Sequence, residues 1–374
     1  MKKKTLTVLS VLLLIFVACA GFVIAVQKNN ERSNLTDETV AKSKYDCVYF
    51  GSYPQSEVTD KKTLKTLPGA DEIEWKSYGY YIGDGSCGSM EKSDYMKYAD
   101  VSLNEERYRA VVFSKYRPEI TYKESKHEYS SQPNNGYDPG KIYWFKYEPL
   151  KWRILDKNNG LVLTEYIIDS QAYSNTVFTN GTGNDLNDEY WNDEAHKNYS
   201  SDYYTSSVRN WLNEDFYNTA FNNEEKSKIE TTVLDNSAYS IESEKYDSED
   251  SNDKIFLLSY SDVINKNYGF DSDPHSRDIA RRTNGTDYAK IQGLLFDSAS
   301  AAAKNIFTSE KKVPSGWWLR SAREYSASAA NVSSNGLAIN FNESGLTALT
   351  DVGIRPALKF VAGYDMFSKS AESK

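Results

Sequence analysis

Near its C-terminus the chain runs Gly316-Trp317-Trp318-Leu319-Arg320-Ser321-Ala322, and about thirty residues later Gly353-Ile354-Arg355-Pro356-Ala357-Leu358. Two adjacent tryptophans followed by an arginine, answered by a second arginine set beside isoleucine and proline, restrict how this chain can fold. An unpaired guanidinium in apolar company is costly, so carboxylates or carbonyls at fixed positions must hold both arginines. Trp317 and Arg355, with Trp152 and Trp211 upstream, are accordingly read as fold-building residues whose first job is core packing. In an extended segment alternate side chains face opposite ways, which sends Trp317 and Leu319 to one face and Trp318 and Arg320 to the other, toward a pocket. Rim loops would come from Arg323-Glu324-Tyr325-Ser326 and from Asn331 to Gly336. Aromatic faces stack on sugar rings while arginine and asparagine bond hydroxyls, so Trp318, Arg320, Arg323, Tyr325, Asn331 and Asn335 form the candidate ligand-binding set.

The other end of the chain fixes a location. Lys2-Lys3-Lys4 precedes 22 uncharged residues, Thr5 to Val26. As a helix that stretch spans about 33 Å, enough for a hydrocarbon core of roughly 30 Å. Lysines before it place the N-terminus in the cytoplasm and the bulk outside. Three fates fit these residues: an uncleaved anchor, cleavage after Ala18-Cys19-Ala20, or lipidation at Cys19. The anchor is preferred because Gly21 to Val26 stays apolar beyond both cleavage positions. The expected organisation is a membrane segment over 1–26, a polar stalk over 27–44, one globular domain over 45–361 and a disordered tail over 362–374.

Removing the three lysines of the leader takes the formal charge from −9 to −12. Such an acidic body repels nucleic acid and anionic lipid heads, so its partners are sought among glycans, peptides and surface proteins. Tyrosine dominates the aromatics, 29 against 15 phenylalanines, which suits either a recognition surface or a loop-rich exported domain. Outside the leader only Cys47 and Cys87 remain. An exported disulfide and two separate thiols are equally open for them. His127, His196 and His275 sit in polar surroundings, no Cys/His cluster occurs, and no zinc site is expected. The oxygen-rich loop Asn180 to Glu189 lacks EF-hand spacing and is read as solvated. No nucleophile elbow, phosphate loop or dinucleotide fingerprint is present. Paired carboxylates of a hydrolase are invisible in so acidic a chain, so an exported enzyme stays as the alternative to a non-catalytic binding module, with a purely structural envelope component as the third reading. No cofactor and no metal is expected.

Along the body, Cys47-Val48-Tyr49-Phe50 reads as a strand ending at Gly51, with a turn at Tyr53-Pro54. Tyr108 to Phe113 reads as a second strand, and Lys141 to Tyr147 as a third that turns at Pro149 into Lys151 to Leu155. Asn159-Gly160 is a hairpin dipeptide before Leu161 to Tyr166. Val208, Trp211, Leu212 and Phe216 form one apolar helical stripe with Ser206 or Ser207 as N-cap, and Asn222 to Glu225 has capping-box spacing for a second helix. The acidic run Glu242 to Asp253 reads as an exposed insertion. Ile255 to Leu258 is a buried strand or core segment, and Ser261-Asp262-Val263 opens a further helix. Strands, then helices, then strands describe an α+β domain with a mixed or antiparallel short-stranded sheet and a central helical pair.

Phe50-Gly51-Ser52-Tyr53-Pro54-Gln55, Leu150 to Leu155, Ser206 to Asn213, Phe216 to Phe221, Thr286 to Lys290 and the two C-terminal motifs occur in an order that resembles an uncharacterised bacterial family, DUF6273. The tail is also similar in style to C-type-lectin-like and formylglycine-generating-enzyme-like domains, where a Gly-x-Arg strand closes the sheet, and this resemblance implies a C-type-lectin-like fold. Ala322 replaces the proline that often follows Arg-Ser in the family. The copper-holding cysteine pair of the formylglycine-generating enzymes has no counterpart, since no cysteine follows Cys87, so their activity is not implied. The reading is a membrane-anchored, extracytoplasmic binding module that contacts its ligand through the polar loops between the two C-terminal motifs.

Overall fold

The computed structural model describes residues 46–83, 90–121, 129–175, 200–240, 244, 246–295, 314–324, 328–338 and 347–364. The membrane segment, the stalk, Cys87, loop 180–189, His127, His196, Tyr325 and residues 365–374 of the tail lie outside them. Among the described residues no helix is long and apolar enough to cross a membrane. Residues Cys47–Lys374 form the compact unit considered below.

The unit is α+β, with mostly short antiparallel strands and few helices. Its first half supplies β1 (Cys47–Glu57), the short helix α1 (Lys61–Leu64), β2 (Lys76–Ser77), β3 (Tyr80–Gly83), β4 (Met90–Ser93), β5 (Met96–Leu103), β6 (Glu106–Phe113), β7 (Tyr143–Asp156), β8 (Leu161–Thr164) and β9 (Asp169–Ser170). A helical stretch follows: α2 (Ser207–Trp211), a π-turn over Leu212–Phe216, and α3 (Tyr217–Ala220). Then come α4 (Asn223–Lys226), β10 (Thr232–Leu234), β11 (Ser251–Asp253), α5 (Tyr260–Val263), α6 (Asp287–Ile291), β12 (Trp317–Ala322), β13 (Ala329–Val332), β14 (Gly353–Ile354) and β15 (Ala357–Lys359). A seven-stranded sheet runs β15-β8-β7-β6-β5-β2, with β1 also paired to β7. A second sheet runs β13-β12-β14-β9, in which β12 and β14 are parallel.

Two expected breaks are absent. β1 continues through Gly51 and Pro54, and β7 through Pro149, because the two strands pair along their lengths and absorb the misfits as register irregularities after Tyr49 and Pro54. Gly51 adopts φ +69°, and a Cβ there would lie 2.5 Å from the Phe221 ring and 2.9 Å from the Ala220 carbonyl. Only glycine fits both the conformation and the approach. Gln55 Nε2 donates to the Glu148 and Pro149 carbonyls, 2.9 and 3.2 Å, and stitches the irregular stretch. Ile255 to Leu258 is fully buried but forms only a bridge from Phe256 to Ala357. The end of the acidic run is also not exposed: Ser251 and Asp253 are buried in β11, and Asp253 pairs with Arg209 at 2.7 Å. Helix α5 starts one residue earlier than Ser261 and is capped by Ser259. Of the expected disordered tail, Tyr364 is described and packs on Phe360, ring centres 5.6 Å apart.

The two C-terminal motifs are neighbours. Gly353 pairs in parallel with Trp317 and on its other edge with Ser170 of β9. A Cβ on Gly353 would meet Ile167 Cγ2 at 2.6 Å and the Gly316 carbonyl at 2.9 Å, so this three-strand seam requires glycine. Both arginines are held as their apolar setting demands. Arg320 pairs with Asp262 (2.8 Å) and donates to the Leu257 and Asp235 carbonyls, 2.9 and 3.2 Å. Arg355 donates from Nε to the Thr164 carbonyl (2.8 Å) and lies 5.0 Å over the Trp317 ring. The indoles of Trp317 and Trp152 are buried and donate to the Arg281 and Phe50 carbonyls.

A tyrosine-walled cleft as candidate functional site

The strand that neighbours Gly353 and Ile354 delivers a carboxylate to a cleft of about 320 Å³. Asp169, 4% exposed, stands at its floor. Its Oδ2 accepts from Tyr53 Oη (3.0 Å) and its Oδ1 from the Ser170 amide (2.7 Å). Burial pushes this carboxyl up to about 6, against the pull of those two donors and of Arg117 and Arg109. Trp318 supports the same segment from behind, donating its indole N–H to the Gln171 carbonyl (3.1 Å) and packing edge-on against Tyr173.

One wall comes from the strands before Asp156. Tyr98, Tyr78 and Tyr80 form a column, with Tyr78 centred 4.7 Å from Tyr98 and 5.2 Å from Tyr80, the latter pair almost parallel at 5°. Gly79, at φ +60°, makes the turn that sets Tyr78 and Tyr80 side by side, and Lys92 crosses over it. Arg117 caps the column 3.8 Å over the Tyr80 ring. The Tyr78 hydroxyl is shared with Tyr288 at 2.7 Å, and the Tyr80 hydroxyl donates to Gln292. Burial raises both phenols well above their ordinary range, so they act as neutral groups. Their ring faces are engaged with one another, so the column is a rigid wall more than a stacking platform. Arg109 closes the floor, bound through two 2.7 Å contacts to Asp100 and through Nη1 to Tyr288 Oη (3.1 Å). That pairing neutralises the guanidinium and holds the Asp100 carboxyl below its ordinary value, against the opposing effect of burial.

The other wall is the helical stretch. Ser207, Trp211, Asp215 and Thr219 all line the cleft, while Val208, Leu212, Phe216 and Ala220 are all buried. In an ideal α-helix positions four apart drift by about 40° per step. The π-turn over Leu212–Phe216 winds the chain more loosely and brings both period-four rows back into line. Trp211 is half-buried and rests one face on Phe216, ring centres 5.5 Å apart, with its other side toward the cleft. The sequence places it in the core stripe; in the structure it stands at the rim of the cleft, one residue before the π-turn. Asn210 and Asn175 add amides. Asp215 has its carboxyl raised by desolvation and by Glu214, with Arg109 and Lys92 opposing.

The residues proposed from sequence lie elsewhere. Trp318, Arg320, Arg323 and Asn331 are buried, Asn335 is half-buried in a turn, and none of the five lines the cleft. β12 is buried on both faces, so the alternation that was to aim Trp318 and Arg320 at a pocket aims them into the interior. Arg323 pairs with Glu324 at 2.9 Å, and Asn335 Oδ1 accepts from Ser333 Oγ at 2.6 Å. Among the described residues no cluster of three or more His, Cys, Asp or Glu side chains is arranged to hold a metal ion.

No curated protein and no solved structure matches the chain. A family described as "Domain of unknown function (DUF6273)" matches residues 157–360, more than half of it. The match begins just after β7, so Asp169 and the helical wall of the cleft fall inside it while the tyrosine wall and Arg109 precede it. On that match the chain belongs to the DUF6273 family.

Proposed function

We propose that the protein is a binding module that holds an uncharged carbohydrate in the cleft between the tyrosine column and the Ser207–Ala220 helical stretch. The observation that carries this reading is Trp211, an indole backed by Phe216 and flanked in one cleft by Asn175, Asn210, Asp215 and Asp169. An aromatic face beside amides and carboxylates satisfies the apolar face and the hydroxyl rim of a sugar together. The cleft has no excess of cations, because Arg109 is already neutralised by Asp100, and the whole chain is acidic at −9. Both points disfavour polyanions. The same proposal keeps the domain outside the cytoplasm, tethered through residues 5–26, and keeps a C-type-lectin-like architecture.

The test is binding of the full chain to an array of hexose, N-acetylhexosamine and uronate oligosaccharides. Retention of uncharged members is expected, with Trp211→Ala weakening them tenfold or more, as loss of a buried aromatic anchor does. Loss in Arg323→Ala with Asn335→Ala, but not in Trp211→Ala, would return the site to the C-terminal loops. A hydrolase reading is favoured by one observation: Asp169 and Asp215 share the cleft and both carboxyls are raised. Release of reducing ends by the wild type, abolished in Asp169→Asn, would establish it.

A further inference from the structure

A second cavity, about 650 Å³, lies against the same helical stretch, and Thr219 lines both. We propose that the two form one groove crossing Thr219, and that the ligand is a linear neutral polysaccharide bound at several successive units; this rests on the carbohydrate reading above.

The second cavity repeats the composition of the first. Tyr49, 55% exposed on β1, offers a ring with no aromatic partner among the described residues, and Asn218 and Asn222 offer amides beside it. Charge is again balanced, with Arg107, lying 4.0 Å over the Tyr147 ring, set against Glu225. The floor is preformed. Glu225 Oε2 accepts from the Asn222 amide (2.9 Å), its own amide donates to Asn222 Oδ1 (3.0 Å), and its Oε1 accepts from the Gly51 amide (3.2 Å). That last bond uses the backbone donor that an added peptide strand would need, so the groove does not suit strand addition. Side chains spaced along one helix and one strand, with no deep pocket for a single large group, suit a chain of repeating units, and the two cavities offer more room than one small ligand needs.

Calorimetric titration of the full chain with cello-, laminari- and chito-oligosaccharides from dimer to octamer tests the groove. Affinity is expected to rise with length up to about the hexamer, by tenfold or more over the trimer. Tyr49→Ala, an exposed and structurally mild change, should lower octamer affinity about tenfold and leave the trimer unchanged, while Trp211→Ala weakens both. An octamer no tighter than the trimer, with Trp211→Ala still weakening both, overturns the groove and keeps the carbohydrate reading. Failure of every series to bind overturns both. Binding of unstructured linear peptides, lost in Tyr49→Ala, assigns the groove to peptides and overturns the proposal as well.

Discussion

A carboxyl enclosed by Tyr53, the Ser170 amide and the aromatic wall pays for its desolvation in its titration. Asp169 is held near 6 in the folded protein against an ordinary value of 3.8. The folded state therefore binds this proton more tightly than the unfolded chain does. As pH rises from about 4 toward 6 the unfolded state ionises first, so the group's contribution to stability falls across that window and is level above it. The full span corresponds to about 3 kcal/mol, as an upper estimate. Asp169→Asn keeps the size and an acceptor but cannot ionise, so its stability relative to wild type should climb between pH 4 and 6 and then flatten. Urea unfolding at pH 4, 5, 6 and 7 reads this directly, and a difference independent of pH would show that Asp169 is not the titrating group. Nothing in the local sequence marks this aspartate, one of many acids in the chain. Its raised titration comes from burial in the folded cleft, which outweighs the opposing pull of Tyr53, Arg109 and Arg117, all more than fifty residues away in the sequence.

The helical stretch shows what periodicity reveals and what it hides. The capping serine, the apolar positions and the capping box at Asn222 are all legible locally, because they depend on residues within one or two turns. Trp211 reads as core from its spacing with Val208 and Leu212, yet it shares the cleft-lining row of Ser207, Asp215 and Thr219, and the π-turn that keeps this row in line has no local signature. It is stabilised from outside. Asn213 Nδ2 donates to the Arg209 and Ile255 carbonyls (3.1 and 2.9 Å), and its Oδ1 accepts from the Lys254 and Ile255 amides (2.8 and 3.2 Å). Asn213→Ala leaves these backbone groups without their partner, at a cost of about 2–4 kcal/mol. Asn218→Ala, at an exposed site bonded to Lys226, should stay within about 0.5 kcal/mol. Thermal melts of the two variants compare the sites; equal losses would mean that Asn213 does not anchor the π-turn. The same contrast applies to strands. Gly51 and Pro149 look like stops, yet β1 and β7 run on because long-range pairing outweighs local preference.

At the scale of the whole molecule, the C-terminal motifs were readable as scaffold and the cleft was not. Trp317 and Arg355 advertise burial by composition alone, whereas the cleft draws on β1, the β2–β3 turn, β5, β6, β9 and the helical stretch, which only the folded topology assembles. That topology also crosses the boundary of the family match. Within the seven-stranded sheet β8 and β15 lie inside residues 157–360, while β1, β2, β5, β6 and β7 precede them. Without the earlier strands, β8 loses its pairing with β7, the buried Leu161, Val162 and Leu163 lose their neighbours on that edge, and Glu165 loses Arg153. Asp169 would also lose Tyr53 and the Arg109 network. An open apolar strand edge invites association with other chains. A chain starting at residue 157 should therefore fail to unfold cooperatively, bind hydrophobic dye and self-associate, whereas residues 45–374 should unfold in one transition. Urea unfolding followed by fluorescence and far-UV dichroism compares the two. Coincident, cooperative transitions for the shorter chain would show that the matched segment is a domain in its own right and that the preceding strands only decorate it.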